Sequence, residues 1–186
     1  NLGKGLGEMH LNSNKCNPKN FGYPIEGFIG ITDQKKGWKN NWIDCFLKLG
    51  IIPQLSILKP NNLDKETIIK VKEKIKEVLL NHEPINTLIH GDLWSGNVGM
   101  DKNGKGVIFD PASWWADNEV DIAMTKLFGG FSREFYEEYH KIFPKKKGFE
   151  KRIIIYNFYH ILNHANMFGG SYLIQVHEYV NAIINM

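Results

Sequence analysis

Three side chains that suit phosphate chemistry occur in a fixed order within residues 90–110. Asp92 lies two positions after His90, Asn97 follows Asp92 by five positions, and Asp110 comes later. Phosphoryl transfer needs a carboxylate that orients the attacking hydroxyl and accepts its proton, and hard oxygen ligands for Mg²⁺. Asp92 is the candidate base, and Asn97 and Asp110 are the candidate metal ligands. The pattern predicts a site that transfers phosphate from a nucleotide.

Each of these residues also has a simpler interpretation. Asp92 could cap a turn, Asn97 could adopt a left-handed conformation beside a glycine, and Asp110 could start a turn before proline. The Asn-Gly pair at 103–104 predicts a hairpin between residues 98–100 and 106–109, which would return Asp110 toward the other two. The three residues together, on both sides of a hairpin, favour the site.

The first half of the chain is expected to surround this site with helices and loops. Residues 2–11 contain three glycines, but these lack the Gly-x-Gly-x-x-Gly spacing of a phosphate loop and are expected to form a helix. Residues 12–41 are expected to form an ordered loop with short extended pieces. Trp38 and Trp42, four positions apart, predict the start of an amphipathic helix that ends near Gly50.

The second half is expected to be helical apart from the hairpin. Asp64 is the predicted N-cap of a surface helix that ends before Pro84. The chain is expected to turn helical past Pro111, to form a buried helix over 153–168, and to end in a helix from about residue 173. The fold class is therefore mainly α with a small β-hairpin (α+β), in one domain.

Composition argues against several function classes. The chain has 186 residues and a net charge of only +3, which is not the footprint of a nucleic-acid-binding protein. Cys16 and Cys45 are neither a disulfide framework nor a metal motif, and no apolar run approaches the ~20 residues that cross a bilayer. We expect no membrane role and a cytoplasmic location.

A histidine pair provides a second candidate site. His160 and His164 are one helical turn apart, as zinc ligands can be, but no Glu follows His160 and no third ligand is apparent. Satisfied histidines of the protein core are the favoured interpretation.

Several longer motifs carry a family resemblance. These are HGDLWSGN at 90–97, FDPASWW at 109–115, FGYPIEGFIGITDQKKGW at 21–38, EVDIAMTKLFGGF at 119–131 and HILNHANMFGGSY at 160–172. In the order in which they occur along the chain, these motifs resemble those of the fructosamine (ketosamine) kinase family, which is related to aminoglycoside and choline kinases of the protein-kinase-like fold. The resemblance covers nearly the whole chain and is weakest at 55–85.

The resemblance implies ATP and Mg²⁺ as cofactors and a ketosamine, free or on a glycated protein, as substrate. Asp92 would be the catalytic base for a sugar hydroxyl, and Asn97 and Asp110 would ligate Mg²⁺. Phosphorylation of the sugar would destabilise the adduct and reverse glycation.

The resemblance also implies roles for supporting residues. His90 would hold the loop, and Asp121 would be a buried acid that anchors it. Trp94 and Trp114 would line the substrate side, with core packing as the alternative for each, and Phe109 would contact the nucleotide base.

The chain departs from the family pattern at one end and at Gly50. The Gly-rich loop, strand lysine and helix glutamate of an N-terminal lobe are not visible, so we expect a C-terminal lobe whose partner is the missing N-terminal lobe, with little activity alone. Gly50 stands where the family often has an arginine. The expected segments are a post-hinge helix (1–11), a loop and helical part (12–87), the catalytic loop, hairpin and metal loop (88–115), and a helical substrate-side part (116–186).

Two other functions remain open at this point. One is an aminoglycoside- or choline-type small-molecule kinase, and the other is a non-catalytic binding module. The preferred ketosamine, the oligomeric state and the significance of Asn1 as first residue are not determined by the sequence.

Overall fold

The computed structural model describes residues 2–16, 19–58 and 63–186. The helices are α1 (Leu2–Lys15), α2 (Trp42–Cys45), α3 (Ile52–Ile57), α4 (Lys65–Leu80), α5 (Glu119–Leu127), α6 (Arg133–Ile142), α7 (Phe149–Phe168) and α8 (Ser171–Ile184). The strands are β1 (Phe21–Tyr23), β2 (Gly27–Ile29), β3 (Thr32–Gln34), β4 (Gly37–Lys39), β5 (Asn86–Ile89), β6 (Val98–Met100), β7 (Gly106–Ile108) and β8 (Trp114–Asp117).

The strands form more sheet than the single hairpin that the sequence predicts. The main sheet has the order β4-β1-β8-β5, and β2-β3 and β6-β7 form separate two-stranded ribbons. β8 is a central strand, antiparallel to β1 through Gly22 and Trp115 and to β5 along its whole length. The helix expected past Pro111 is α5, but the strand β8 precedes it and was not expected, so the fold is mixed, with short sheets inside a mostly helical chain.

The segment over 12–41 contains four of these strands rather than a loop. β2 and β3 are the extended pieces expected near Phe28, while β1 and β4 join the main sheet. Trp38 lies on β4, opposite Gly22 of β1, so it is not part of the predicted helix. That helix begins at Trp42, after Asn41, whose side chain caps it by accepting from the Asp44 N–H at 2.8 Å.

The same helix does not end near Gly50. The chain continues through a π-helical segment, Phe46–Ile51, directly into α3. Gly50 is buried against the Phe46 and Tyr159 rings, and Pro53 lies in the first turn of α3, directly after the π-helical segment. The helical segment therefore continues through Gly50 and Pro53, two residue types that usually end a helix.

The remaining helices follow the sequence prediction closely. Asp64 caps α4 by accepting from the Thr67 N–H at 2.8 Å, as predicted. α7 is the buried helix and packs against α5, α8 and α3. In the described ranges, no helix is both long and apolar enough to cross a membrane.

Candidate functional site

The candidate site lies on an excursion of the chain between two paired strands. β5 enters it and β8 leaves it, and Ile89 is opposite Trp114 at its neck. The Ala112 N–H donates to the His90 carbonyl at 2.9 Å, which extends the pairing by one step. Residues separated by a hairpin in sequence are therefore held together at one sheet end.

The first turn of the excursion is anchored from below by a buried carboxylate. The His90 and Gly91 N–H groups each donate to Asp121 at 2.8 Å. Gly91 has a φ of +86°, and a Cβ there would lie 2.1 Å from the Ala112 carbonyl oxygen, so the turn requires glycine. Asp121 lies in the first turn of α5, and its two carboxylate oxygens hold the His90 and Gly91 N–H groups.

A chain of buried polar groups supports the Asp121 carboxylate. The His10 Nε2 donates to Asp121 at 3.1 Å, the Tyr139 hydroxyl is 2.9 Å from His10 Nδ1, and the Asn118 amide donates to that hydroxyl at 2.7 Å. Burial alone would raise the pKa of Asp121, but the His10 ring and the two backbone donors outweigh it and lower the pKa. The anchor is therefore a charged carboxylate inside the core.

The His90 ring links the two halves of the excursion. Its Nε2 donates to the Phe109 carbonyl at 2.9 Å, and its Nδ1 accepts from the Asp92 N–H at 3.3 Å. This pair of bonds requires a neutral ring with the proton on Nε2. His90 thus holds the position of the segment that carries Asp110 relative to Asp92.

Asp92 is half-buried at the edge of this arrangement. The Asn97 amide nitrogen donates to the Asp92 carbonyl at 2.9 Å and to its carboxylate at 3.3 Å. Burial raises the pKa of Asp92, and the Asp110 charge raises it further, although the His164 ring and the Asn97 hydrogen bond oppose this. The structure therefore brings Asp92, Asn97 and Asp110 close together, on one edge of the molecule.

Two oxygen donors near Asp92 have the chemistry of a Mg²⁺ site. Because the Asn97 nitrogen is engaged by Asp92, the amide oxygen is the atom that remains to bind a cation. Asp110 is exposed and has a φ of +57°, and it is the only non-glycine residue with positive φ in the described part of the chain. The Phe109 N–H donates to the Asn97 carbonyl at 3.1 Å, which holds the two donors together. The positive φ of Asp110 is a strained backbone conformation, and such conformations are typical of residues whose side-chain direction matters for function.

An aromatic patch continues from the catalytic loop. Trp94 is 38% exposed and meets the Phe128 ring edge-on at 6.0 Å between centroids. Phe128 contacts the His164 ring at 5.0 Å, and His164 in turn contacts Tyr172 at 5.1 Å and Phe168 at 5.8 Å. Trp94 is therefore the residue of this patch that belongs to the loop carrying Asp92 and Asn97.

Trp114 is not on the substrate side. Its ring is fully buried, stacked on Tyr23 at 4.8 Å and tilted against Trp42 at 5.4 Å. Successive residues of β8 point alternately to the two faces of the sheet, and the Trp114 side chain points into the core. The expectation that Trp114 lines the substrate side is therefore wrong, and the core alternative holds.

The histidine pair has two different environments. His160 is fully buried, and neither ring nitrogen has a partner, so it is a core residue but not a satisfied one. Burial lowers its pKa to about 3. His164 is half-buried and its Nδ1 donates to the His160 carbonyl at 2.9 Å, which leaves Nε2 as its second polar atom.

One cluster in the described ranges has the spacing of a metal site elsewhere. His82, Asp117 and Glu119 present ligand atoms within 4.8 Å of one another. Their atoms are already paired, however: His82 and Tyr156 each contact Asp117 at 2.6 Å, and Arg152 binds both oxygens of Glu119. The cluster is a buried polar network that ties α4 and α7 to β8.

Three contributors to the site were not expected there from the sequence. His10 reaches it from α1, Phe128 from the end of α5, and His164 from α7. The family-like segments LFGG and LNH contain the last two, so the resemblance was the signal that pointed to them. Phe109, expected near a nucleotide base, has a 48% exposed ring beside Gly99 of β6.

Comparison with known proteins agrees with these motifs. The fructosamine kinase family model matches residues 1–186. The chain belongs to the fructosamine kinase family. It is 42% identical over 184 residues to a Vibrio parahaemolyticus protein named "Probable ketoamine kinase", 38% identical over 155 residues to mouse ketosamine-3-kinase, and 37% identical over 174 residues to the chloroplastic protein-ribulosamine 3-kinase of Arabidopsis thaliana.

These relatives are longer than the fructosamine kinase chain described above. The alignments cover 99%, 82% and 92% of the chain but only 62%, 50% and 52% of the Vibrio, mouse and Arabidopsis proteins.

Solved structures give the same picture of the fold. A Haemophilus somnus protein described as "Putative fructosamine-3-kinase" is 28% identical, with a TM-score of 0.86 over 96% of this chain and 60% of its own. An aminoglycoside phosphotransferase shares the fold at 14% identity, with a TM-score of 0.53 over 97% of this chain and 61% of its own.

Proposed function

We propose that this chain carries the base and metal-binding side chains of an ATP- and Mg²⁺-dependent kinase that phosphorylates a sugar hydroxyl of ketosamines. The observation that carries the proposal is the convergence of Asp92, Asn97 and Asp110 at one edge, over the Asp121 anchor. The names of the mouse and Arabidopsis relatives support a ketosamine or ribulosamine as substrate.

Asp92 would orient the sugar hydroxyl and accept its proton as the bond to phosphorus forms. Its raised pKa, caused mainly by burial, brings the carboxylate closer in basicity to a useful proton acceptor at neutral pH. The two hydrogen bonds from Asn97 hold the residue in one orientation. Positioning of this kind is the main contribution of protein groups to phosphoryl transfer.

The Asn97 amide oxygen and the Asp110 carboxylate would hold Mg²⁺ against the nucleotide phosphates. Both are hard oxygen donors, and the backbone bond between residues 97 and 109 keeps their separation fixed. A bound magnesium ion would supply charge neutralisation on the transferred phosphoryl group.

The aromatic patch would receive the sugar. Trp94 offers an exposed indole face for the apolar side of a sugar ring, and His164 presents Nε2 for a hydroxyl because its Nδ1 is bonded to the backbone. Phosphorylation at such a hydroxyl would give an unstable adduct whose breakdown returns the free amine.

The test is a phosphorylation assay on the full-length protein, because the relatives extend well beyond this chain. Fructosyl-lysine, ribulosyl-lysine, choline and an aminoglycoside are compared with ATP and Mg²⁺, and product mass is measured. We expect turnover on one or both ketosamines that is lost in Asp92→Asn.

Three outcomes would contradict the proposal. Turnover on choline or the aminoglycoside alone would favour a different small-molecule kinase. No turnover on any of the four, with ketosamine binding retained, would favour a non-catalytic module. Full activity in Asp92→Asn, on any of the substrates, would contradict the assignment of Asp92 as the base.

A further inference from the structure

A groove of ≈ 610 Å³ lies between three elements that come from distant parts of the sequence. They are the turn from β2 to β3, the helix formed by the π-helical segment and α3, and the last turn of α7. Its exposed apolar residues include Ile31, Ile52 and Ile57, with 79%, 40% and 53% of their surface accessible. Apolar side chains gathered around one concavity are typical of a binding surface.

The walls of the groove are fixed by specific contacts. Gly30 has a φ of +58° and a Cβ there would lie 2.4 Å from the Met167 sulfur, so the turn is seated directly on α7. The Asn166 amide donates to the Gln54 carbonyl at 2.9 Å and to its side-chain oxygen at 2.8 Å. The Gln54 nitrogen donates to Asn163 at 3.3 Å. The groove is therefore preformed, which lowers the entropic cost of filling it.

One wall of the groove lies on the same helix, α7, as His164 of the candidate acceptor site. Met167, on its wall, follows His164 by three positions, and residues three apart on a helix are surface neighbours about 5–6 Å apart. His164 lies close enough to Asp92 to lower the pKa of that carboxyl, although burial outweighs the effect. A ligand held at His164 can thus extend into the groove.

The rim of the groove is partly basic. Lys48 is paired with Asp44 at 3.0 Å, whereas Lys35 has no ion pair within the described residues. Asp33 lies on the same rim and limits the charge. An acidic side chain next to an apolar one would complement Lys35 and the isoleucines together.

We propose that this groove binds the polypeptide segment next to the glycated residue of a protein substrate. The inference rests on the proposed function, and it adds where the polypeptide that flanks a protein-bound ketosamine would lie. The segment would lie extended across α3, with a branched apolar side chain between Ile31 and Ile57. An acidic residue beside it would face Lys35.

The test compares two substrates in the full-length protein. One is free fructosyl-lysine and the other is a peptide with fructosyl-lysine next to Val and Glu residues. Ile31→Asp and Ile57→Asp alter exposed side chains, so folding is expected to be retained. We expect KM for the peptide to rise about tenfold or more, since burial of an isoleucine side chain is lost. KM for fructosyl-lysine and both kcat values should stay unchanged.

Ile69→Asp is the matched control, because Ile69 is 50% exposed on α4. It should leave both substrates unaffected. Equal loss with both substrates, or no loss with either, in the groove variants would overturn the groove assignment while the kinase proposal stands.

Two further outcomes also refute the inference. A wild-type protein that phosphorylates neither substrate contradicts the proposed function, and the inference fails with it. A shift from dimer to monomer in sedimentation of Ile31→Asp, with peptide kinetics unchanged, would assign the groove to a second copy of the chain.

Discussion

Replacing Asp121 by asparagine removes the charge that anchors the catalytic loop while keeping the side-chain shape. One carboxylate oxygen accepts the Gly91 N–H at 2.8 Å, and the other accepts His90 N–H at 2.8 Å and His10 Nε2 at 3.1 Å. The amide has one accepting oxygen, so it can keep at most one of these two sets. Its NH₂ group then faces at least one N–H donor that has lost its acceptor.

The expected cost follows from these bonds. A hydrogen bond to a charged group contributes roughly 1.5–3 kcal/mol, and a buried donor without a partner costs about 1–3 kcal/mol. Asparagine avoids the desolvation of a charge, which offsets part of the loss. We expect the free energy of unfolding of Asp121→Asn to fall by about 3 kcal/mol at pH 7, within the range for broken buried pairs.

The pH dependence gives a second measure of the same effect. The pKa of Asp121 is lowered in the folded chain from an ordinary 3.8, so the carboxylate stabilises the fold above that value. This stabilisation is lost as pH falls through the lower, folded pKa. The difference between wild type and Asp121→Asn should therefore shrink in acid.

Urea denaturation followed by tryptophan fluorescence measures both quantities. Asp101→Asn is the control, because Asp101 also accepts two backbone N–H bonds at 2.8 Å, but in an exposed hairpin turn where water can replace it. Its loss should be clearly smaller. If Asp121→Asn lowers the free energy of unfolding no more than Asp101→Asn does, or by an amount that does not change with pH, the role of Asp121 as an anchor is refuted.

The remaining predictions concern single residues. Asp92→Asn should lower kcat of the full-length protein by about 10²–10⁴-fold with little change in KM, measured by steady-state kinetics; a KM effect alone would contradict a base. Gly91→Ala should destabilise the catalytic loop, since φ is +86° and the new Cβ meets a carbonyl oxygen at 2.1 Å, and faster amide exchange at residues 90–92 would report it. His160→Leu should stabilise the chain, because both ring nitrogens are buried without partners and the pKa is lowered to about 3. Wild type, but not His160→Leu, should lose about 1.4 kcal/mol per pH unit from this group as pH falls from 6.5 toward 3, and equal urea curves would contradict this. A thiol reagent should label the exposed Cys16 and spare the buried Cys45, whose pKa is raised by burial, and mass spectrometry that finds both labelled in the native chain would contradict the packing.

Local signals predicted the elements whose causes are local. The Asp64 cap and the Asn103-Gly104 turn each act within a few residues, and α4 and the β6-β7 hairpin are where the sequence indicated. β8 was missed because its four residues form a strand only through partners at Gly22 and residues 86–89. Non-local pairing of this kind leaves no periodic pattern in a short segment.

The site shows the same division. Asp92, Asn97 and Asp110 follow a recognisable spacing, and the structure brings them together. His10 and His164 reach the site from helices far away in sequence, where a histidine on a helix face predicts nothing by itself. Trp114 was misassigned because the position of a side chain on one or the other face of the sheet follows from the strand β8, and that strand was not predicted.

The neck between Ile89 and Trp114 has a consequence for how this part of the protein can vary. Since β5 and β8 close the excursion at its base, the chain beyond the neck leaves the sheet and returns to it at the same end. The entropy of closing a loop grows only slowly with its length, so residues added at the exposed turn near Gly104 would scarcely disturb the base. The hairpin tip is thus a natural place to insert a fluorescent peptide that reports on the loop from outside.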